Sequence, residues 1–171
     1  MRMQRAGRWT GVLVLGVVLV LGGGAGAGGR GPGAPIPAQV RTAFGADCET
    51  LVVQALYRAE REVRVAIYSL TRPSIVEALV AAAERGVSVE LKYDAEQYDY
   101  DGMKKAIGVL KKKGIVCTAI RMRDEQAHMH HKFAVIDRRY VLTGSFNFTT
   151  AGTVINRENL VEIDSPAAAT A

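Results

Sequence analysis

Residues 128–148 read HMHHKFAVIDRRYVLTGSFNF and contain every histidine of the chain. Two short runs rich in β-branched and aromatic residues, Lys132 to Ile136 and Tyr140 to Ser145, flank a charged turn. Such runs on either side of a turn predict an antiparallel hairpin. A hairpin is not stable alone, so it commits the fold to further strands and to one buried face. A turn centred on Arg138-Arg139, with a four-residue loop from Asp137 to Tyr140, places Lys132 opposite Ser145 and His130 opposite Asn147. Opposed residues lie about 5 Å apart between Cβ atoms, and residues two apart share a face. His130, Lys132, Ser145 and Asn147 then converge on one patch, with Phe133, Val135, Val141 and Phe146 on the other face. A one-residue slip would scatter this set.

The rest of the chain supplies the partner strands. Strands are predicted at Gln39–Phe44, Glu62–Tyr68, Val87–Tyr93, Ile115–Ile120 and Glu158–Ile163, from alternating or continuous apolar runs. Helices are predicted between them. One runs from Asp47 through Ala59, one from near Pro73 to Gly86, and one from Met103 to Lys113, closed by Gly114. Asp94 to Gly102 is a tyrosine-rich loop. Strands alternating with helices imply an α/β fold around one sheet. A chain of 171 residues is long enough for one such domain and too short for two ordinary ones.

The N-terminus differs in kind. Met1 to Arg8 carries three arginines, Thr10 to Leu21 is apolar, and Ala25-Gly26-Ala27 offers small residues for cleavage. These are the three regions of a secretory signal over residues 1–27. A retained membrane anchor is the alternative, although the apolar run is short for a span of about 20 residues. Residues 28–38 read as a Gly/Pro-rich linker, residues 39–164 as the folded domain and residues 165–171 as a frayed tail. The leader and linker also explain the charge. The chain has 22 basic and 17 acidic residues, net +5; without Arg2, Arg5, Arg8 and Arg30 the balance is 18 to 17. Overall charge is therefore weak evidence for nucleic-acid binding. Local clusters, Lys111–Lys113 and Arg121 with Arg123, read first as a solvated helix end and loop. Cys48 and Cys117 could form one disulfide in an exported protein or remain two thiols.

The patch on the hairpin has a definite chemistry. Lysine, carboxamide and hydroxyl groups suit phosphate oxygens. An imidazole can act as nucleophile or proton carrier near neutral pH. His130 and His131 point to opposite sides of a strand with no suggestive carboxylate or cysteine beside them, so no metal or other cofactor is expected there. His128 and His131 read as loop or surface residues.

The spacing His130-x-Lys132-x4-Asp137-x6-Gly144-Ser145-x-Asn147 resembles the HKD signature of the phospholipase D superfamily. Six residue types at fixed spacing arise by chance in a chain of this length with a probability on the order of 10⁻⁶. The resemblance extends over roughly Val40 to Ile163 and is greatest to small nuclease-type members. It implies a phospholipase D-like α-β-α sandwich with a mixed central sheet and one half-site per chain. It implies a homodimer in which two hairpins meet across a twofold axis. His130 would be the nucleophile and form a phosphohistidine, while the second copy's His130 protonates the leaving oxygen. Lys132, Ser145 and Asn147 would bind the phosphate. Glu158 would accept a hydrogen bond from the histidine Nδ1. Asp137 belongs with the motif's catalytic set, its role read as orienting the loop. Arg138 stands where family members often have glycine.

The functional expectation is a metal-independent, exported phosphodiesterase, periplasmic or secreted, acting first of all as an endonuclease on DNA or RNA. Hydrolysis of phospholipid headgroups is the alternative substrate reading. The sequence ends at Ala171, before the C-terminal helix that family members usually carry. This keeps a catalytically weak nucleic-acid-binding protein as a third reading.

Overall fold

A computed structural model describes residues 35–124 and 126–170; the leader and most of the linker lie outside them. Seven strands and five helices follow in the order β1 (Gln39–Phe44), α1 (Asp47–Tyr57), β2 (Glu62–Ile67), α2 (Pro73–Glu84), β3 (Ser88–Asp94), α3 (Asp101–Lys112), β4 (Val116–Ile120), β5 (Lys132–Ile136), β6 (Tyr140–Gly144), α4 (Thr150–Val154), β7 (Asn159–Asp164) and α5 (Pro166–Ala169). The strands form one sheet in the order β1-β7-β6-β5-β2-β3-β4. Strands β2, β3 and β4 are parallel, and every other pairing is antiparallel. The fold is therefore the mixed α/β class expected.

Each crossover has a local cause. Pro73 sits in the first turn of α2, where its missing N–H costs nothing. Gly86 and Gly114 end the two crossover helices at φ 90° and 77°, a conformation that favours glycine. Helix α2 touches both α1 and α3. The core lies beneath these helices. It joins Leu51, Val52, Ala55 and Leu56 of α1 to Ile75, Leu79 and Ala82 of α2 and to Met103, Ile107 and Leu110 of α3. The sheet contributes Val63, Val65, Ile67, Leu91, Ala134, Ile136 and Leu142.

The hairpin forms, but its register is one residue from the expected one. Phe133 pairs with Thr143, Ala134 with Leu142 and Ile136 with Tyr140. Continued, this register carries Lys132 toward Gly144, not Ser145. The loop has three residues, Asp137 to Arg139, and not four. Asp137 and Arg138 both adopt positive φ, at 55° and 52°, and Arg139 N donates to Ile136 O at 3.0 Å. Arg-Arg is poor turn chemistry by local preference. Here tertiary bonds hold it. The Asp137 carboxylate accepts the backbone N–H groups of Glu60, Arg61 and Glu62 at 3.0, 2.8 and 3.0 Å. Arg138 Nε donates to Glu62 at 2.8 Å.

The open question of the cysteines resolves, and two later segments are helical where no helix was predicted. Cys48 and Cys117 are free thiols, on α1 near one edge of the sheet and on β4 at the other. Burial, with Glu158 and Asp47 nearby, pushes the Cys48 thiol up to about 11. The tail is not frayed at its start: Ser165 is buried and caps α5, its Oγ accepting Ala168 N at 3.4 Å. Helix α4 was not predicted. Lys112 ends α3, while Lys113 pairs with Glu84 at 2.7 Å, as a solvated helix end does.

Burial opposes ionisation of Asp137, but its three backbone hydrogen bonds outweigh this and hold the carboxyl below its usual value. Its stabilising contribution is therefore complete above the unfolded value of about 3.9 and is lost as pH falls through the lower folded value. Asp137→Asn should cost about 1–3 kcal/mol at pH 7, because a carboxamide cannot accept from all three amides. Urea unfolding at pH 7 and pH 3 should show the deficit of the variant shrinking at the lower pH.

Candidate active site

The site forms where β2 and β3 end and β5 begins. Tyr68 follows β2, Asp94 ends β3, and the segment up to His131 leads into β5 at Lys132. Tyr68 N donates to His131 O at 2.8 Å, which ties the two segments together. His130 is exposed and Lys132 half-buried. Lys132 Nζ lies 3.2 Å from each ring nitrogen of His130 and donates to His130 O at 3.0 Å.

The second half of the motif arrives by leaving the sheet. Strand β6 stops at Gly144, whose missing side chain admits the β7 backbone: a Cβ there would lie 2.3 Å from Asn159 O. Beyond it, Phe146 and Phe148 are buried at 0% and 1% exposure. They carry Asn147 between them. Phe148 N donates to Ser69 O at 3.2 Å, and Phe148 O accepts Thr71 N at 2.9 Å and Arg72 N at 3.0 Å. The segment after β6 is thus fastened to the segment after β2, beside Tyr68. Ser145 and Asn147 come to the end of the sheet that carries His130 and Lys132 by this docking and not by facing them across a ladder.

Glu158 precedes β7 and accepts the Ser145 hydroxyl in a short hydrogen bond, together with Asn156 Nδ2 at 2.9 Å. Asn159 N donates to Ser145 Oγ at 3.1 Å. Among the described residues no hydrogen bond or ion pair joins Glu158 to His130, so the expected Nδ1 contact is absent within one chain. Glu158 acts instead on Ser145, and its charge opposes the downward shift that burial imposes on Lys132. Asn147 Oδ1 is buried with no hydrogen-bond partner among the described residues, so this carboxamide retains bonding capacity. Asp137 lies at the far end of β5, roughly 17 Å along the strand from Lys132. It holds the turn and takes no part in the site. A cavity of about 210 Å³ beside it, lined by Arg61, Glu62, Asp137 and Arg138, is likewise remote from His130.

Two site residues escape the sequence pattern. The Tyr68 ring lies 4.7 Å from the His130 ring, centroid to centroid, and Lys132 Nζ lies 5.3 Å above the same ring. Its hydroxyl accepts Gln97 Nε2 at 2.8 Å. Tyr68 is thus a platform under both groups. Its one sequence signal was its place at a strand end. Asp94 is buried and accepts Met129 N at 2.8 Å and Glu96 N at 3.0 Å, fixing the residue before His130.

The imidazole of His130 is held below its ordinary value. Partial loss of solvent around this otherwise exposed ring is the main cause, the charges of Lys132 and His128 add to it, and Asp94 opposes them. These surroundings favour the neutral form of the ring over the imidazolium. Tyr68→Phe, which keeps the ring, should leave turnover close to wild type. Tyr68→Ala should lower it on the order of 10²-fold through loss of positioning. Steady-state kinetics on variants with matched thermal stability checks both.

Comparison with known proteins agrees with this geometry. A family model described as Cardiolipin synthase, PLD-like domain, matches residues 52–171. Among curated proteins, the chain is 37% identical over 109 residues to a mitochondrial cardiolipin hydrolase of Xenopus tropicalis, covering 64% of this chain and 50% of that protein. It is 31% identical over 127 residues to a phospholipase D of Rickettsia typhi, covering 70% of this chain and 56% of the relative. The chain thus spans about half the length of the curated relatives it matches. Among solved structures, Nuc of Salmonella typhimurium, described as a phospholipase D family member, superposes with a TM-score of 0.73 at 32% identity, covering 78% of this chain and 88% of that one. With His130, Lys132, Ser145 and Asn147 at one end of the sheet and a matching family model over residues 52–171, the chain belongs to the phospholipase D superfamily.

Proposed function

We propose that the protein is a metal-independent phosphodiesterase that works as a homodimer through a phosphohistidine. The observation that carries this reading is the exposed imidazole of His130 lying against the Lys132 ammonium, with Ser145 and Asn147 fastened to the same end of the sheet. Relatives named cardiolipin hydrolase and phospholipase D support the reaction class.

In this mechanism a His130 ring nitrogen bonds to phosphorus as the bond to the leaving oxygen breaks. The leaving oxygen takes a proton from His130 of the partner subunit. Water then gives a proton to that imidazole, its oxygen attacks phosphorus, and the P–N bond breaks to restore His130. Lys132, Ser145 and Asn147 stabilise the charge that develops on the phosphate oxygens. A single chain has one such imidazole, so a C2 pair is needed to supply the nucleophile and the acid together. Exposed Phe44, Val154 and Ile155, which flank the segments holding Glu158, supply apolar surface for the second copy. Export follows in this reading from the signal-like residues 1–27.

Nucleic acid is the first substrate reading. Exposed Arg121 and Arg123 follow β4, exposed Lys104 and Lys105 open α3, and exposed Tyr98 and Tyr100 lie between β3 and α3. These segments leave the same end of the parallel strands as the site does. Cations suit a phosphate backbone and aromatic rings suit unpaired bases. The phospholipid reading is favoured by a different observation: Met122, between Arg121 and Arg123 after β4, is 42% exposed. Plasmid DNA, RNA and a phosphatidyl lipid, assayed side by side with EDTA present, separate these readings. Cleavage of at least one should persist in EDTA and vanish in His130→Asn. Binding of DNA without cleavage by either protein would leave a binding module instead.

The electrostatics give a second test. His130 should titrate below about 6.5, observed by NMR of the ring protons. Because the Lys132 charge disfavours the imidazolium, Lys132→Met should raise that value. No change, or a fall, would contradict the proposed pairing.

A further inference from the structure

Asp94, Glu96 and His128 form a second cluster, two residues before the proposed nucleophile. One ligand atom from each lies within 4.8 Å of the others. His128 Nδ1 is 3.3 Å from Glu96 Oε2 and 3.9 Å from Asp94 Oδ2. A four-coordinate zinc ion with bonds of about 2.0–2.1 Å needs ligand atoms about 3.3–3.4 Å apart. The His128–Glu96 pair already has that spacing. Both side chains are partly exposed, at 38% and 47%.

An independent feature also points to a cation. The Asp94 side chain is 3% exposed, yet among the described residues no lysine or arginine pairs with it, and its one ion-pair partner is His128. A buried carboxylate that meets no permanent cation is costly, and buried charges are paired with cations or bind metals. A histidine supplies that charge only when protonated. Two backbone amides hold the Asp94 carboxylate in place. They occupy two of its about four acceptor positions and leave others open.

We propose that Asp94, Glu96 and His128 bind one divalent transition-metal ion, with Zn²⁺ the best fit. One imidazole and two carboxylates suit zinc or manganese, whereas calcium and magnesium favour oxygen ligands alone. The ion is structural. It braces the segment carrying Met129 and His130, because Asp94 bonds Met129 N directly. It takes no part in the phosphohistidine chemistry, and the proposal does not depend on that chemistry.

The test is isothermal titration of the full chain with Zn²⁺ after EDTA stripping, with the Co²⁺ absorption spectrum and thermal unfolding as further readouts. The wild type should bind one equivalent and unfold at a higher temperature when loaded. His128→Ala and Glu96→Gln should each weaken binding by more than about tenfold and lose the rise in unfolding temperature. His130→Asn should bind as wild type does. The proposal is overturned if the wild type binds no ion. It is also overturned if binding is unchanged in both cluster variants, or is lost in His130→Asn, which would place the ion on the catalytic imidazole.

Discussion

Two buried phenylalanines decide where this chain can do chemistry. Phe146 and Phe148 enter the core on either side of Asn147, and the Phe148 backbone bonds to Ser69, Thr71 and Arg72. Burying two such rings is worth about 1.5–3 kcal/mol each, enough to pull the chain out of the sheet after Gly144. The absence of a Cβ at Gly144 allows the close approach to Asn159 that this path requires. Ser145 and Asn147 are thereby delivered to the end of the sheet where Tyr68 and His130 already lie.

The proposed dimer asks two identical sites of this kind for two different protonation states. His130 has a cation on one side and an aromatic ring beneath it, and Glu158 is committed to Ser145 and Asn156. Every strong local influence except Asp94 favours the neutral imidazole. That suits a nucleophile and does not suit a proton donor. A bound phosphodiester brings the negative charge that could restore a proton to one of two such rings, which then titrate as a coupled pair. The division of labour between two identical residues would come from the substrate and not from the sequence.

Much of this was legible in the sequence, and the exceptions share a cause. The order of strands and helices followed from apolar periodicity because the crossover helices bury single faces and end in glycines at positive φ. The site residues His130, Lys132, Ser145 and Asn147 followed from spacing. Their mode of convergence did not. The expected ladder register was displaced by one residue, since the Asp137 turn is held by the backbone of Glu60 to Glu62, more than seventy residues away. No local pattern contains that contact. Tyr68, Asp94 and the α4 turn were missed for the same reason: each matters through what packs against it. Asp137 shows the converse, a motif residue that lies in the turn it holds, at the far end of β5 from His130.

The central claim is that one His130 is the nucleophile and a second copy supplies the acid. It is tested most directly by quenching the enzyme during turnover of a simple phosphodiester, in EDTA, and measuring intact and peptide masses. The account predicts an adduct on His130 with the mass of the phosphorus group and its remaining ester, at no more than one per two chains, in a species that sediments as a dimer. Steady turnover by a monomer, or turnover with no adduct on His130 at any quench time, would contradict it.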